Sequence, residues 1–483
     1  MILIAAAVLI TWLSLISPAQ ALEARIMVIP GAQPLVRVEG RFLNETRANR
    51  RNLVFLKEYA GVSGLANRMN DVAVKGADSE EVPSRMLAPG EYLAAKDIVG
   101  WKYAIQLFPQ NVLSRAHISW IDGERGILML NDMLPQVAGS DRSANITIGL
   151  PDGWQAVSAE ATSAGGNFNV KDFDKAVFLI ARKDVLRSSR IQNADIGIAV
   201  ADSWQFTDSD AARAANESFC EYSSAFGPPS AVNFQAFVMK LPAGTPFGQW
   251  EGDTRGNTVT IVSSDMPFAT QSSQRIREQL RHEVFHFWFP SGLKLTGNYD
   301  WFFEGFALYE SLKTGVTMNQ LSFDNFLDTL SRAYNIEIRG PGRSLIDSSK
   351  QRWSGQNTEL YARGMLTAFV VDVSLLSHSG GRRSSETLLR EIFREYSNAQ
   401  KAMDGNEAVL GIMGRYRELK PIIDRFIIGN DRFDWSEEIL AAGIESSGAG
   451  TGISLRVRQS PNRKQKDILN RLGYNSWRKL LEK

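Results

Sequence analysis

Residues 281–310 read RHEVFHFWFPSGLKLTGNYDWFFEGFALYE, and this stretch decides how the whole 483-residue chain is interpreted. The sequence contains four histidines, and two of them, His282 and His286, flank Glu283 here at a spacing of four. The aromatic cluster WFFEGFALYE follows closely. Half of the histidines thus lie within five residues of one another, which suggests that they share a chemical function.

The segment around the histidine pair predicts one helix over residues 275–289. Its apolar residues recur at spacings of 4, 4 and 3 and form one stripe: Ile276, Leu280, Val284 and Phe287. Ser272 or Ser273 is the expected N-cap, and Pro290 is expected to end the helix.

On such a helix the two imidazoles point to one side, about one turn apart, and can reach a single metal ion. Glu283 faces further round, where it can hold a water molecule instead of the metal. An HExxH segment fixes only three of five positions, so a histidine pair that simply packs inside a helix remains an alternative at this point.

A third ligand is expected on the next helix, which runs through DWFFEGFALYESLK with Asp300 as its cap. Glu304 is the first candidate, because the aromatic residues around it predict a crowded apolar setting in which a carboxylate needs a cationic partner. Gly305 leaves room for a close helix contact. Glu310 is the second candidate. Two imidazoles and a carboxylate favour one Zn²⁺ per chain, although cobalt or manganese would also be accepted.

Composition narrows the function classes. The 54 Lys and Arg residues balance the 53 Asp and Glu residues, so no electrostatic case exists for a nucleic-acid partner. Residues 1–21 form an apolar run ending in Ala-Gln-Ala, which predicts a signal peptide and export to the periplasm or the medium. No stable membrane span is expected after cleavage. Because no Lys or Arg precedes the run, an uncleaved membrane anchor is the minor alternative.

The pattern along the chain predicts an α+β protein. Short alternating runs over 22–187 predict a β-sandwich-like domain. A second domain is expected over 188–445, where a mixed segment leads into longer helical patterns from about 272. The remainder, 446–483, is a basic C-terminal tail interpreted as a solvated terminal helix. His117 lies in a strand-like run and is interpreted as structural. The single cysteine, Cys220, excludes an internal disulfide.

HExxH followed by W-x-x-E-G-F resembles the gluzincin zinc metallopeptidases, and within them the glycyl aminopeptidase family. HEVFHFW resembles that family's zinc helix, and LYARGMLTAFVVDVSLLSHSGGRRSSETLLREIFREY resembles the block that follows it. NDMLPQVAG and ITIGLPDGW resemble its N-terminal β domain. The resemblance touches most of residues 110–445.

The resemblance implies a thermolysin-like, mainly helical catalytic domain after the β domain, and a peptide or protein substrate. His282, His286 and Glu304 would bind zinc, and Glu283 would serve as general base and later as acid. Tyr361 would donate a hydrogen bond to the oxyanion; only the resemblance singles it out.

The sequence departs from the family in the strand that precedes the zinc helix. The family's glycine-rich motif there ends in a glutamate that holds the substrate amine, whereas residues 248–265 read GQWEGDTRGNTVTIVSSD. Glu251 and Asp253 are the nearby carboxylates. Arg363 replaces a usual lysine, and the tail is too short for the PDZ domain common in the family. Three functions stay open: an aminopeptidase, an endopeptidase, and a catalytically silent metal-binding scaffold that captures peptides. The oligomeric state is not indicated.

Overall fold

The computed structural model describes residues 21–43, 51–107, 114–136, 141–162, 166–191, 196–229, 233–354, 357–448 and 452–476. The expected signal peptide lies outside these residues except for Ala21. Residues 137–139 of the NDMLPQVAG motif and the last seven residues of the tail also lie outside them.

The N-terminal part is built from strands, as its alternating sequence predicts. They are β1 (Leu22–Ile29), β2 (Leu35–Phe42), β3 (Asn52–Val54), β4 (Glu58–Tyr59), β5 (Val62–Ser63), β6 (Met69–Lys75), β7 (Glu81–Val82), β8 (Ser84–Ala88), β9 (Glu91–Ala94), β10 (Gly100–Gln106), β11 (Trp120–Ile121), β12 (Arg125–Met129), β13 (Ala144–Gly149), β14 (Trp154–Ser158), β15 (Ala161–Thr162), β16 (Asn167–Val170) and β17 (Val177–Arg182).

Two of the sheets in this part pack face to face. The larger has the order β15-β16-β13-β1-β2-β10-β6-β7, and the smaller has the order β11-β12-β17-β14. Strand β1 lies inside the larger sheet, parallel to β13 and antiparallel to β2. Its first residue, Leu22, and the preceding Ala21 are both buried. Leu128 and Ile180 of the smaller sheet complete the apolar core between the sheets. The predicted β-sandwich-like domain is confirmed.

The other face of the smaller sheet packs on a third sheet, which begins the helical part of the chain. This sheet has the order β18-β19-β20-β22-β21, with β18 (Leu186–Ile191), β19 (Ile196–Ala201), β20 (Phe234–Lys240), β21 (Trp250–Arg255) and β22 (Thr258–Ser263). Both faces of β17 are therefore buried: Phe178 and Ile180 face the larger sheet, and Leu179 faces Phe237 and Met239 on the third sheet. This packing fixes the β domain against the sheet that carries the site.

Helices cover the remaining face of the third sheet and build the largest apolar core. They are α1 (Asp208–Phe226), α2 (Ala269–Phe285), α3 (Asp300–Thr317), α4 (Phe323–Glu337), α5 (Leu345–Lys350), α6 (Asn357–Ser379), α7 (Ser385–Tyr396), α8 (Gly405–Met413), α9 (Lys420–Ile422), α10 (Ser436–Ala441) and α11 (Arg463–Arg471). Four short strands lie among them: β23 (Leu295–Thr296), β24 (Met403–Asp404), β25 (Ile444–Ser447) and β26 (Ser454–Val457).

The helix bounds around the site differ from the sequence expectation. Helix α2 begins at Ala269, with Phe268 as N-cap and no side-chain cap, so the proposed serine caps were wrong. Ser272 instead donates to Asp265 from inside the helix. The helix ends at Phe285 and not at Phe289, which leaves His286 in the C-cap position. The apolar stripe itself is buried as predicted.

Helix α6 is the longest helix, and it runs through the middle of the helical core. Its residues Thr358–Ser379 are long and apolar enough to cross a membrane, but 89% of the apolar window is buried within the protein. A core helix has this composition because every face of it meets other apolar residues. The burial of α6 explains its composition without a membrane.

The C-terminal residues pack on the helical core. Strands β25 and β26 pair antiparallel beside α4, and α11 buries Ile468 and Leu469, with Leu472 just beyond it. The sequence was interpreted as a solvated terminal helix, but its apolar side chains are inside. The basic residues of α11 lie on its exposed face, which explains why the basic sequence suggested a fully solvated helix.

Candidate active site

Three side chains converge between α2 and α3. The Nε2 atoms of His282 and His286 lie 3.3 Å apart. Glu304 Oε2 lies 3.3 Å from the first of them and 3.7 Å from the second. All three side chains are buried, and their ligand atoms lie within 4.8 Å of one another. The structure thus brings together the three residues that the sequence proposed as metal ligands.

The spacing of these atoms fits a tetrahedral ion. Bonds of about 2.0–2.1 Å to nitrogen and oxygen give a tetrahedron whose edges are about 3.3 Å long. His286 Nδ1 lies 2.7 Å from the carbonyl oxygen of Phe289, which favours the tautomer with the proton on Nδ1 and the Nε2 lone pair free. The donor set and its geometry therefore suit Zn²⁺.

Glu304 is the ionised member of the cluster. Burial alone would raise the pKa of its carboxyl group, but Arg352 and the two histidines hold that pKa well below its usual value. Burial lowers the pKa of His286 to about 4, so its imidazole is neutral and able to bind a metal at neutral pH. Arg352 Nη2 lies 2.8 Å from Glu304 Oε1, the oxygen that faces away from the histidines.

Glu283 lies against the edge strand β21. The Thr254 hydroxyl lies 2.9 Å from its Oε2 atom and 2.8 Å from its carbonyl oxygen, and can donate to one of them at a time. Gly252 allows the close approach, since a Cβ atom there would lie 2.0 Å from Glu283 Oε1. Burial raises the pKa of Glu283 to about 7, and the charge of Glu304 adds to the shift. A carboxylate with this pKa suits a general base at neutral pH.

Tyr361 reaches the same cavity from α6. Its hydroxyl oxygen accepts a hydrogen bond of 2.8 Å from Arg352 Nη2. Burial raises its pKa well above the ordinary value of a phenol, so the hydroxyl keeps its proton. Helices α3 and α6 approach closely at Gly305, where a Cβ atom would lie 2.5 Å from the carbonyl carbon of Gly364. The close contact expected at Gly305 is confirmed.

Glu310, the second candidate ligand, points elsewhere. It is buried beside Lys313 and Asp372, almost two turns further along α3 than Glu304, and is not part of the cluster of His282, His286 and Glu304. Its neighbours form a network in which Asp372 accepts hydrogen bonds from Lys313 and Tyr309. Asp300 also differs from expectation: it lies in the first turn of α3 without capping it, and its carboxylate faces Arg352 at 2.7 Å.

The cavity over the cluster has a volume of about 700 Å³ and is lined from both parts of the molecule. Tyr59 and His117 come from the β domain, and Asp253 comes from β21. His117 does not lie in a strand, as its sequence suggested, but in a turn before β11. Its Nδ1 atom is 3.7 Å from Asp253 Oδ1. The predicted strand placement of His117 was therefore wrong. Its interpretation as a structural histidine stays a prediction, and the residue also borders the cavity.

The two carboxylates of β21 differ in what they contact. Glu251 accepts hydrogen bonds from the backbone N–H groups of Ser114 and Ala116, at 2.6 and 3.3 Å, and so holds the turn that carries His117. Asp253 Oδ2 lies 2.9 Å from Arg255 Nη2. Burial opposes ionisation of Asp253, but Arg255 and His117 lower its pKa to about 2.

Arg352, Thr254 and His117 are site residues that the sequence analysis missed. None of them lies in a periodic pattern with the HExxH segment, and each comes from a different part of the chain. The only sequence signal was the glycine-rich composition around Thr254, which predicted an altered strand without showing which residue faces Glu283.

The fold is that of the M1 zinc metallopeptidases. An aminopeptidase N family protein from Idiomarina loihiensis superposes with a TM-score of 0.76 at 16% sequence identity, over 88% of this chain and 79% of its own. The M1 zinc metallopeptidase from Deinococcus radiodurans gives a TM-score of 0.56 at 13% identity, over 86% of this chain and 95% of its own. Native yeast LTA4 hydrolase gives 0.51 at 14% identity, over 87% and 67%.

The comparisons by sequence are negative: no protein-family model matches the chain, and no curated protein matches it. The gluzincin-type fold implied by the sequence motifs is confirmed by these structures. The narrower resemblance to glycyl aminopeptidases stays a prediction.

Proposed function

We propose that this protein is an exported zinc-dependent aminopeptidase. The observation that carries the proposal is the convergence of His282, His286 and Glu304 at tetrahedral spacing, with Glu283 and Tyr361 lining the same cavity. The Deinococcus neighbour is an M1 zinc metallopeptidase by name, and a variant of it has been solved with a Tyr-Ser-Ala substrate. Export rests on the apolar N-terminal sequence.

The chain's own residues supply the proton transfers. Zinc held by the three ligands would lower the pKa of water to about 7 and polarise the scissile carbonyl group. Glu283 accepts the proton of the attacking water and returns it to the leaving amine. Tyr361 donates its hydroxyl proton in a hydrogen bond to the oxyanion of the tetrahedral intermediate, an interaction of about 3 kcal/mol for one good donor.

The edge strand supports binding of an extended peptide. Strand β21 pairs only with β22 in the described part of the chain, so its other edge can add the substrate as a further strand. The same strand carries Asp253 into the cavity. This arrangement would align the peptide backbone along Glu283.

Asp253 is the residue we assign to the substrate's amino group. Its Oδ2 atom is bonded to Arg255, but its Oδ1 atom lies 3.7 Å from His117, beyond hydrogen-bond distance, and can accept a bond from an ammonium group. The two oxygens of Glu251 are already bonded to backbone N–H groups. Asp253 would thus replace the glutamate that the family's motif places on this strand.

Matched peptides with free and acetylated amino termini test the proposal, using protein that begins at Leu22 with zinc bound. We expect cleavage of the free peptides alone, abolished by Glu283→Gln. Asp253→Asn should raise KM for the free peptides by about tenfold or more, since it removes a charged hydrogen bond of about 1.5–3 kcal/mol.

Other results would lead to other functions. Cleavage of both peptides, also abolished by Glu283→Gln, would establish an endopeptidase with the same centre. Cleavage of neither peptide would refute catalysis on these substrates, and peptide binding measured by calorimetry would then test the metal-binding scaffold. Amino-terminal sequencing of the protein recovered from the host tests cleavage after Ala21.

A further inference from the structure

Arg352 lies between Glu304, the proposed third metal ligand, and Tyr361. It follows α5 in the chain, and its side chain is 13% exposed. One guanidinium nitrogen, Nη2, lies 2.8 Å from Glu304 Oε1 and 2.8 Å from the Tyr361 hydroxyl. Nη2 donates a hydrogen bond to the Tyr361 hydroxyl and forms an ion pair with the Glu304 carboxylate.

The two carboxylate oxygens of Glu304 have different partners. Oε1 forms an ion pair with Arg352, whereas Oε2 faces the nitrogen atoms of His282 and His286. A carboxylate held this way presents one oxygen toward the metal position and cannot rotate freely. Such partners of metal ligands typically change metal affinity by about 10- to 100-fold when they are removed.

The contact with Tyr361 directs its proton. The phenolic oxygen accepts from Arg352, so its own O–H is free to donate in another direction. Tyr361 lines the cavity, where an oxyanion would form. Arg352 therefore orients the donor that the reaction needs.

An aspartate and two aromatic rings also contact the guanidinium group. Nη1 lies 2.7 Å from Asp300 Oδ1, and the guanidinium carbon lies 4.4 Å from the ring centre of Trp353 and 5.8 Å from that of Phe303. A planar guanidinium bridges several acceptors in a fixed geometry, which a lysine ammonium cannot reproduce.

We propose that Arg352 is a positioning residue that fixes the Glu304 carboxylate for metal binding and the Tyr361 hydroxyl for oxyanion binding. The proposal rests on the proposed peptidase function for its Tyr361 half. The Glu304 half requires only that the protein binds zinc.

The test compares Arg352→Gln and Arg352→Lys with the wild type by two measurements. Zinc affinity is measured by competition with a chromophoric chelator, and kcat is measured on the free-amine peptide. We expect Arg352→Gln to weaken zinc binding by about 10- to 100-fold and to lower kcat at saturating zinc by about 10²-fold. Arg352→Lys should recover part of the zinc affinity, because it keeps a charge beside Glu304, but little of kcat.

A double variant with Tyr361→Phe separates the two roles. In that background Arg352→Gln should lower kcat only a few-fold further, because the hydroxyl that it orients is already absent. It should weaken zinc binding as much as it does alone. Effects on kcat that multiply fully, or unchanged zinc affinity in Arg352→Gln, would overturn the corresponding half of the proposal.

Arg363→Gln is the matched control for loss of a buried arginine. Arg363 lies two positions after Tyr361 and pairs with Glu337, outside the cavity. Its variant should lose stability while keeping the zinc affinity of the wild type; an equal loss of zinc affinity would show a general effect of destabilisation and overturn the proposal. If the wild type cleaves no peptide, the peptidase function and the Tyr361 half both fail, and zinc affinity still decides the Glu304 half.

Discussion

Replacing Gly305 with alanine tests whether the close crossing of α3 and α6 sets the geometry of the site. Glu304 directly precedes Gly305, and Tyr361 lies one turn before Gly364 on the facing helix. A Cβ atom at Gly305 would lie 2.5 Å from the carbonyl carbon of Gly364. The helices must therefore separate by about 1 Å to reach ordinary carbon–carbon contact distances.

The stability cost of this separation is moderate. Overpacking costs about 1–3 kcal/mol, and the better helix propensity of alanine offsets about 1 kcal/mol of it. The catalytic cost is larger, because a misplacement of about 1 Å reduces rates by about 10²-fold. We expect kcat/KM to fall by about 10²-fold while urea unfolding shows a loss of at most about 2 kcal/mol.

Gly411→Ala is the control for the substitution itself. Gly411 lies inside α8, and a Cβ atom there would meet nothing within 4 Å. This variant should be as active as the wild type and more stable by up to about 1 kcal/mol. If Gly305→Ala keeps the wild-type kcat/KM, the distance between the two helices does not set the catalytic geometry, and the reasoning is refuted.

Three further outcomes are expected. Burial raises the pKa of Glu310 to about 7, so the folded protein binds this proton more tightly than the unfolded chain, whose value is near 4.5. The free energy of unfolding should therefore fall between pH 4.5 and pH 7, by at most about 3 kcal/mol. Urea unfolding at pH 5 and pH 8 should show a smaller change in this free energy for Glu310→Gln than for the wild type. An equal change in both proteins would assign the effect to other groups. Tyr361→Phe should lower kcat by about 10²- to 10³-fold with little change in KM, whereas a change in KM alone would mean that the tyrosine binds substrate without acting on the oxyanion. A chelator should abolish turnover and lower the melting temperature, and added Zn²⁺ should restore both; a melting temperature that does not respond would argue against a bound metal.

The cluster of His282, His286 and Glu304 could be predicted from sequence because its residues lie close together in the chain. The spacing of four between His282 and His286 places both imidazoles on one helix face, whatever the rest of the chain does. Glu304 could be proposed because an ionised group among aromatic residues needs a cation. The division into a strand-rich part and a helical part followed from the change of hydrophobic period along the chain.

The residues that complete the site could not be predicted in the same way. Arg352 contacts Glu304 across 48 positions of sequence, and His117 reaches Asp253 from another domain. Such contacts depend on how sheets and helices pack, which no local period encodes. The end of α2 was misplaced for a related reason: the apolar stripe continues past Phe285, although the backbone turns there and places His286 at the C-cap.

The backbone of Ala21 and Leu22 is hydrogen-bonded within the larger sheet of the β domain. The backbone N–H of Ala21 bonds to Ser143, its carbonyl oxygen accepts from Leu43, and Leu22 pairs with Ala144 and Phe42 on either side. The peptide bond between Ala21 and Leu22 therefore lies inside a finished sheet, beyond the reach of a protease. If the signal peptide expected from the sequence is cleaved at this bond, the cleavage must come before the β domain folds.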